Sequence, residues 1–476
     1  METHLHLSRR LPFMSLPAVI VCALIVHLPN VALAEAFRIL DQSAAATGQG
    51  TAFAAQADDA SAVYFNPAAM TQLSGIQFTM GTLLVGGQFD FQPTSGSSVQ
   101  GDLGGPVANP PPSNFFVTAN LGSLGVPSLN HVTVGLGLNT PFGNLTRYPN
   151  NVPLSTVITS SAFPLLDIKP TVAIELNKFF SLGFGLDIYT FSSLFGEGQV
   201  ELQQVAGADL AATGLALLGD QVELNGTDTA IGYNVSLLLT PLRNRLGQPL
   251  LNFAFIYRSH TELNLEGKFI NHTQGTALGA MAELNLPQVV TVAMAVWPVR
   301  TSQREWKVEL DLDYSDWTSF KNLDVTLSNG FVIPRPKDWQ NSYTLMLGTE
   351  YKLFHPTLLP HWELAIRGGY VYAESPVPER TFSPDVPDAN YNALSIGLGF
   401  LCKNHGLLLG FIECGNNASG KLGITGIGLD LAYQALLYQT RNIQNNVDSL
   451  GRVNGTWDTT IHVGALNLRM NFETGH

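Results

Sequence analysis

Residues 306–314 read Trp-Lys-Val-Glu-Leu-Asp-Leu-Asp-Tyr. Trp306, Val308, Leu310, Leu312 and Tyr314 alternate with Lys307, Glu309, Asp311 and Asp313. Side chains alternate faces along a strand, so one face here is oily and the other charged. A soluble sandwich would turn the charged face to bulk water, and a membrane barrel would turn it into its bore. This stretch alone does not separate the two, but its recurrence along the chain does.

Similar runs follow one another on both sides of it. They include Val132, Val134, Leu136, Leu138; Leu182, Phe184, Leu186, Ile188; Ile231, Tyr233, Val235, Leu237; Leu251, Phe253, Phe255, Tyr257; Leu394, Ile396, Leu398, Phe400; and Leu466, Leu468, Met470, Phe472. The intervening positions are mostly Gly, Ser, Thr, Asn and Asp. Each run lasts about ten residues, which is what a tilted strand needs to cross a bilayer. From Ile76 to Phe472 about fourteen such strands can be counted, and an even number leaves both chain ends on one side. The fold class read from this is all-β: a transmembrane antiparallel barrel over residues 76–472, with a C-terminal tail at 473–476. Connections alternate in length. Asn177-Lys178, Thr240 to Pro249 and Pro298 to Arg304 are short, as periplasmic turns are. Long stretches near 91–113, 140–168, 192–228, 267–286, 316–340, 374–390 and 441–456 are assigned to the outside. Trp297, Trp306, Tyr314, Tyr343, Tyr351, Trp362 and Tyr372 fit aromatic girdles.

Composition agrees with a wall that has lipid outside and water inside, since charged residues are only 13% and apolar ones 45%. A net charge of -13 argues against nucleic acid as a partner. Arg9 and Arg10, the apolar stretch from Leu11 to Pro29 and Ala32-Leu33-Ala34 read as a cleavable export signal over 1–34, with the mature chain starting at Glu35. Cys402 and Cys414, twelve positions apart, either bridge or remain inert thiols. Neither a metal site nor a cofactor is expected. The region 401–421 around the cysteines is too long for a periplasmic turn and reads as an extra hairpin.

Residues 35–75 differ from the rest. They show no sustained alternation and are rich in small residues, yet Phe53, Val63, Tyr64, Phe65 and Met70 carry more apolar weight than a disordered leader. A plug folded inside the barrel is the expectation. The run Ala57-Asp58-Asp59-Ala60-Ser61-Ala62-Val63-Tyr64-Phe65-Asn66-Pro67-Ala68 resembles the hatch signature of the FadL-type long-chain fatty acid and hydrocarbon transporters of bacterial outer membranes. Thr140-Pro141-Phe142-Gly143, Tyr257-Arg258-Ser259, Asp316-Trp317-Thr318-Ser319-Phe320, and Ser375-Pro376-Val377-Pro378 followed by Pro387-Asp388 agree with that family in order. The resemblance covers nearly the whole mature chain. It implies a fourteen-stranded barrel stoppered by a hatch, a ligand that lands on an apolar groove between two outer loops, and lateral exit through a gap made by a kinked third strand.

Candidate ligand-contacting residues follow. They are Phe53, Tyr64, Phe65, Asn66, Pro67 and Ala68 of the hatch, Leu215, Leu218, Leu278 and Met281 of the matching loops, and the inward cations Arg258 and Arg367. Lys169 and Lys307 also point inward by parity, and all four cations have lumen acids such as Glu175, Glu309, Asp311 or Glu363 as the ordinary partners. Where the family's fatty-acid branch carries ligand-facing basic residues, this chain has Ser192 and Gln340, which leaves neutral hydrocarbons open. The partners expected are the outer-membrane bilayer and a hydrophobic small molecule, for a monomer without enzymatic activity. The competing functions are a polar-solute porin and a lipid-cleaving barrel enzyme built on Ser259-His260, although adjacent strand residues face opposite sides.

Overall fold

The computed structural model describes residues 35–193, 196–403, 405–408, 410–415, 422–447, 449 and 451–474. The expected signal over 1–34 and the last two residues lie outside them. The alternating runs become fourteen antiparallel strands: β1 Ile76–Pro93, β2 Ser113–Asn120, β3 Val132–Arg147, β4 Ser160–Asn177, β5 Phe180–Thr190, β6 Ala230–Arg243, β7 Pro249–Arg258, β8 Gln288–Arg300, β9 Arg304–Asp316, β10 Ser342–Phe354, β11 Trp362–Ala373, β12 Tyr391–Lys403, β13 Leu422–Tyr438 and β14 Gly455–Thr474. Each pairs with the next, and β14 returns to β1 from Ile76↔Phe472 to Pro93↔Gly455. Closure leaves no sheet edge, which is what hydrocarbon demands of a backbone that water cannot reach.

The two faces of the wall separate as the alternation requires. Leu84, Phe184, Phe255, Leu312, Ile366 and Ile396 are exposed on the outside, with Ile396 66% exposed, while Lys307, Glu309, Asp311 and Asp313 are buried inside. Tyr314 and Tyr343 pair at the outer rim, with ring centroids 5.3 Å apart. Trp297 leaves the expected girdle: it turns inward and donates its Nε1–H to Glu305 Oε1 at 3.0 Å. Its parity puts it on the same face as Ala293 and Ala295, and a strand-end aromatic with the wrong parity cannot reach lipid.

Most of the stretch expected outside at 140–168 is strand, since β3 runs to Arg147 and β4 starts at Ser160. There residues 37–42 lie against the strand, with Ile39 N donating to Pro141 O and Gln42 Nε2 to Thr140 O, and Thr140, Pro141 and Phe142 are buried in succession, so period two fades without the strand ending. The segments expected as loops at 192–228 and 267–286 hold hairpins, Val200–Val205 with Gln221–Thr227 and Thr261–Asn271 with Thr276–Leu286. These pair with each other from Glu266↔Thr227 to Asn271↔Val222, a small sheet above the wall. The turn after β12 carries the short hairpin Gly406–Leu408 with Ile412–Cys414, and Cys402 and Cys414 are bridged.

Two irregularities fall side by side. The register of β3 shifts between Asn139 and Phe142, around Pro141, which has no N–H for a ladder. The strand before it, β2, is short. It pairs with β1 only up to Thr82↔Ser113 and with β3 only up to Phe115↔Leu138. Above that level no strand fills the space between β1 and β3 until the short strand Val99–Asp102, which pairs with β1 from Gln88↔Asp102 to Phe91↔Val99 and meets β3 at Asp102↔Arg147. The segment containing Pro110-Pro111-Pro112 passes there, with two backbone bonds to β1, Leu83 N to Pro112 O and Ala108 N to Val85 O, both 2.8 Å.

Ile396 sits midway along β12 and faces outward, so Ile396→Arg should destabilise the barrel in lipid by about 2–4 kcal/mol. Denaturant titration of the vesicle-embedded protein measures it, and an unchanged midpoint would place that residue away from the hydrocarbon.

Candidate functional site

The charged face of β9 meets residues 35–58. Lys307 Nζ reaches Ala52 O at 3.3 Å and Glu309 at 2.8 Å. Glu309 Oε1 accepts from the amides of Ala55 (2.6 Å) and Gln56 (3.2 Å), and Asp311 Oδ2 accepts from those of Phe53 and Ala54, each at 3.0 Å. Asp313 holds Arg38 Nη2 at 2.6 Å, and the Ser315 hydroxyl donates to Glu35 Oε2 at 3.2 Å. Other strands take hold from their own sides. Ser236 Oγ accepts from Ala68 N at 2.8 Å, Asn252 Nδ2 donates to Ala55 O at 2.8 Å, and Asn467 Oδ1 accepts from Ala44 N at 2.6 Å. The segment therefore lies in the bore, with short helical turns at Ala44–Thr47 and Ala62–Phe65. The approach is closest at Gly369, where a Cβ would fall on the Gln49–Gly50 peptide.

The hatch candidates come together as a packed unit. Phe53 and Phe65 make an edge contact at 5.4 Å, and Tyr64 and Phe65 another at 5.1 Å. Asn66 caps the turn Pro67–Gln72 by accepting from Ala68 N, while its Nδ2 donates to Ala54 O at 2.8 Å. Arg258 lies 4.7 Å over the Tyr64 ring and donates to Tyr64 O. Arg367 stands apart, neutralised by Glu350 at 2.7 Å and Asp430 at 2.6 Å. Lys169 is likewise paired with Asp167 and Asp187. Leu215 and Leu278 pack into an outer apolar cluster with Val222, Phe269 and Leu327, whereas Leu218 (72%) and Met281 (54%) are exposed.

Two features escaped the sequence reading. Phe37 is the hub of an aromatic cluster, with Trp317 at 4.9 Å, Phe163 at 5.3 Å, Trp339 at 5.6 Å and Phe142 at 6.0 Å. The hatch N-terminus also bonds to the kinked part of β3, Ile39 N to Pro141 O at 2.8 Å and Gly143 N to Phe37 O at 2.9 Å. Beside this junction is a cavity of about 520 Å³. Leu40, Leu83, Val85, Phe142, Leu436 and Val463 supply apolar wall, and the strand-free stretch from Ala108 to Pro112 closes one side. None of the twelve candidate ligand residues lines it, although Thr140, Phe142, Gly143, Pro387 and Asp388 of the family-like stretches do.

Glu35, Asp41 and Asp388 reach the same cavity and are all buried. Burial holds the Asp41 carboxyl up at about 6 and the Asp388 carboxyl at about 7, the latter although Ser375 and the Ala36 amide both donate to it. Ser259 and His260 form no nucleophile-base pair. Ser259 Oγ accepts from Tyr233 N at 2.9 Å, and His260 Nε2 meets Asn285 at 2.7 Å.

An oily closed wall, a bore filled by the chain's own N-terminal segment and an apolar cavity between the two define a plugged barrel of the outer membrane. Residues 25–408 match the family described as outer membrane protein transport protein (OMPP1/FadL/TodX), and the chain belongs to that family. The long-chain fatty acid transport protein of Escherichia coli (strain K12) is 23% identical over 392 residues, covering 74% of this chain and 81% of that one. Among solved structures, a Pseudomonas aeruginosa FadL homologue superposes with a TM-score of 0.71 at 14% identity, over 92% of this chain and 100% of that one. The toluene transporter TodX of Pseudomonas putida gives 0.57 at 14% identity, over 88% and 95%.

Replacing Glu309 and Asp311 by Ala leaves the buried amides of Phe53 to Gln56 without acceptors, at about 1–3 kcal/mol per unpaired group. Hydrogen exchange at those amides should speed up by at least about tenfold while the barrel keeps its heat-modifiable migration. Unchanged exchange would mean that the carboxylates do not hold the segment.

A carboxyl raised above its unfolded value of about 3.9 binds more protons folded than unfolded. The stability contributed by Asp388 is therefore full below about pH 4 and lost as pH rises towards its folded value of about 7. Asp388→Asn should flatten that part of the stability-versus-pH curve, read from melting temperatures across the range.

Proposed function

We propose that this protein lets hydrophobic molecules, long-chain fatty acids or related lipids and hydrocarbons, diffuse across the outer membrane through a bore gated by residues 35–75, with exit sideways through the wall. The observation that carries this reading is the apolar cavity, which touches both the N-terminus of the plug and the strand-free stretch between β1 and β3. An alkyl chain favours an oily path by about 0.8 kcal/mol per CH₂ group, and a water-filled pore offers none. Leu218 and Met281, exposed on the outer hairpins, are the landing surface in this account. Displacement of Phe37 to Ile39 would free the bonds to Pro141 and Gly143 and so couple the plug to the kinked strand. The chemical relation of the relatives agrees, since those named above are a long-chain fatty acid transport protein and a toluene transporter. Among the described residues Ser259 and His260 form no reactive pair that would favour an enzyme, and a porin for polar solutes would need a bore that the buried segment does not leave.

Uptake of labelled oleate and of toluene by cells with and without the protein tests this. Faster uptake of at least one is expected, and equal uptake of both would remove the reading. Deleting residues 35–75 should make vesicles carrying the barrel leak small solutes, whereas unchanged conductance would mean that the segment gates nothing.

A further inference from the structure

The end of the barrel that carries the short turns is charged on one side only. The turns at 177–179, 240–249 and 298–304 hold Lys178, Arg243, Arg245, Arg300 and Arg304 and no Asp or Glu, in a chain whose acids outnumber its Lys and Arg by 37 to 24. The stretches 121–131 and 355–361 at the same end hold no Lys, Arg, Asp or Glu. The three basic turns adjoin in space, because β5 pairs with β6 at Phe180↔Leu239, β6 with β7 at Pro249↔Arg243 and β7 with β8 at Leu251↔Val296. Arg243 Nε donates to Lys178 O at 2.8 Å and Arg300 Nη1 to Pro249 O at 2.6 Å, so two of the cations tie neighbouring turns together.

The other three cations have no such task. Lys178, Arg245 and Arg304 are exposed, and none has an ion-pair partner among the described residues. Of the nearby acids, Glu305 is taken by Arg300 at 2.8 Å and Glu175 lies near Arg243. Apolar side chains project among the cations: Leu246 is 75% exposed, Leu242 56% and Phe179 44%. Trp306, two residues past Arg304, is exposed on the outer face opposite Tyr351, and such aromatics mark the level of the membrane–water interface. The turns therefore continue the lipid-facing wall at headgroup depth, where long basic side chains keep their stems in oil and their heads in water. Unpaired cations at that depth meet phosphate, and a guanidinium matches two phosphate oxygens at once.

We infer that these three turns bind anionic phospholipids of the adjoining leaflet, of the phosphatidylglycerol class, with Lys178, Arg245 and Arg304 on the headgroup phosphates and Phe179, Leu242 and Leu246 against the acyl chains. An anionic headgroup is selected over a zwitterionic one because these cations have no balancing acid. The surface lies outside the bore, and the inference stands apart from what the bore carries.

Titration of the intact protein in detergent micelles with phosphatidylglycerol or phosphatidylcholine of equal chain length, followed by native mass spectrometry, tests this. Phosphatidylglycerol should bind at least about tenfold more tightly, since each cation beside an anionic lipid is worth about fivefold. The triple variant Lys178→Gln, Arg245→Gln, Arg304→Gln should lose that preference. Removing three exposed charges at the opposite end, with Lys268→Gln, Lys321→Gln and Arg380→Gln, should leave it intact. Should the first triple variant lose its heat-modifiable migration, Arg245→Gln alone, near an exposed turn tip, carries the test with an expected loss of about fivefold. Equal binding of the two lipids by the native protein overturns the inference. So does a preference that survives in the folded triple variant, or in Arg245→Gln where that one is used, and so does a preference lost equally from the distal triple variant.

Discussion

The structure depends on how a length of irregular backbone is kept inside a membrane barrel. Residues 53–56 form no ladder of their own, and their four amides point at the wall, where Glu309 and Asp311 accept them. Hydrogen bonds to ionised acceptors are the strong kind, and in a space shielded from bulk water they are worth more than on a surface. Each of the inward residues Lys307, Glu309, Asp311, Asp313 and Ser315 on a single strand touches the plug. The charged face of β9 is the complement of a loop, and its charges need no water-filled channel to account for them.

Once the plug is held along that row, its two ends differ. The C-terminal part, from Ala60 to Met70, is packed among small residues and anchored to β6 through Ser236. The N-terminal part reaches outward to a cluster of aromatic rings contributed by the outer loops and to the bulged region of β3. A side chain such as Phe37, at the junction of plug, loop and wall, links three elements that could otherwise move independently. A sizeable apolar space beside the plug opens at this junction, and its location follows from a short β2, a proline-broken β3 and the segment that bridges them.

Charge inside the bore is used in pairs and triads. Arg367 sits between Glu350 and Asp430, and Lys169 beside Asp167 and Asp187. Isolated buried charges are costly, so the ordinary partner for an inward cation is a neighbouring acid, as parity and composition already suggested. Of the acids expected to serve, Glu309 pairs with Lys307 and Glu363 with Lys403, whereas Asp311 is occupied by plug amides.

How much of this was legible beforehand follows from the range of each interaction. Period two in Trp306 to Tyr314 and its repeats is a local property of the chain, and it determined the strands, their faces, the closed barrel and the adjacency of the barrel's first and last residues. The small-residue run with Phe53, Tyr64 and Phe65 marked a segment that could pack but not pair, and the motif around Asn66-Pro67 tied it to a family. Which side chains line the cavity was not legible, because Asp41, Val85, Asp388 and Leu436 are neighbours only after closure brings distant strands and a loop together. The inward turn of Trp297 and the survival of strand through Thr140 to Phe142 were likewise settled by what covers each face, a tertiary fact. Short-range alternation determined the wall, and only the folded chain decided where the plug, the kink and the oily space between them meet.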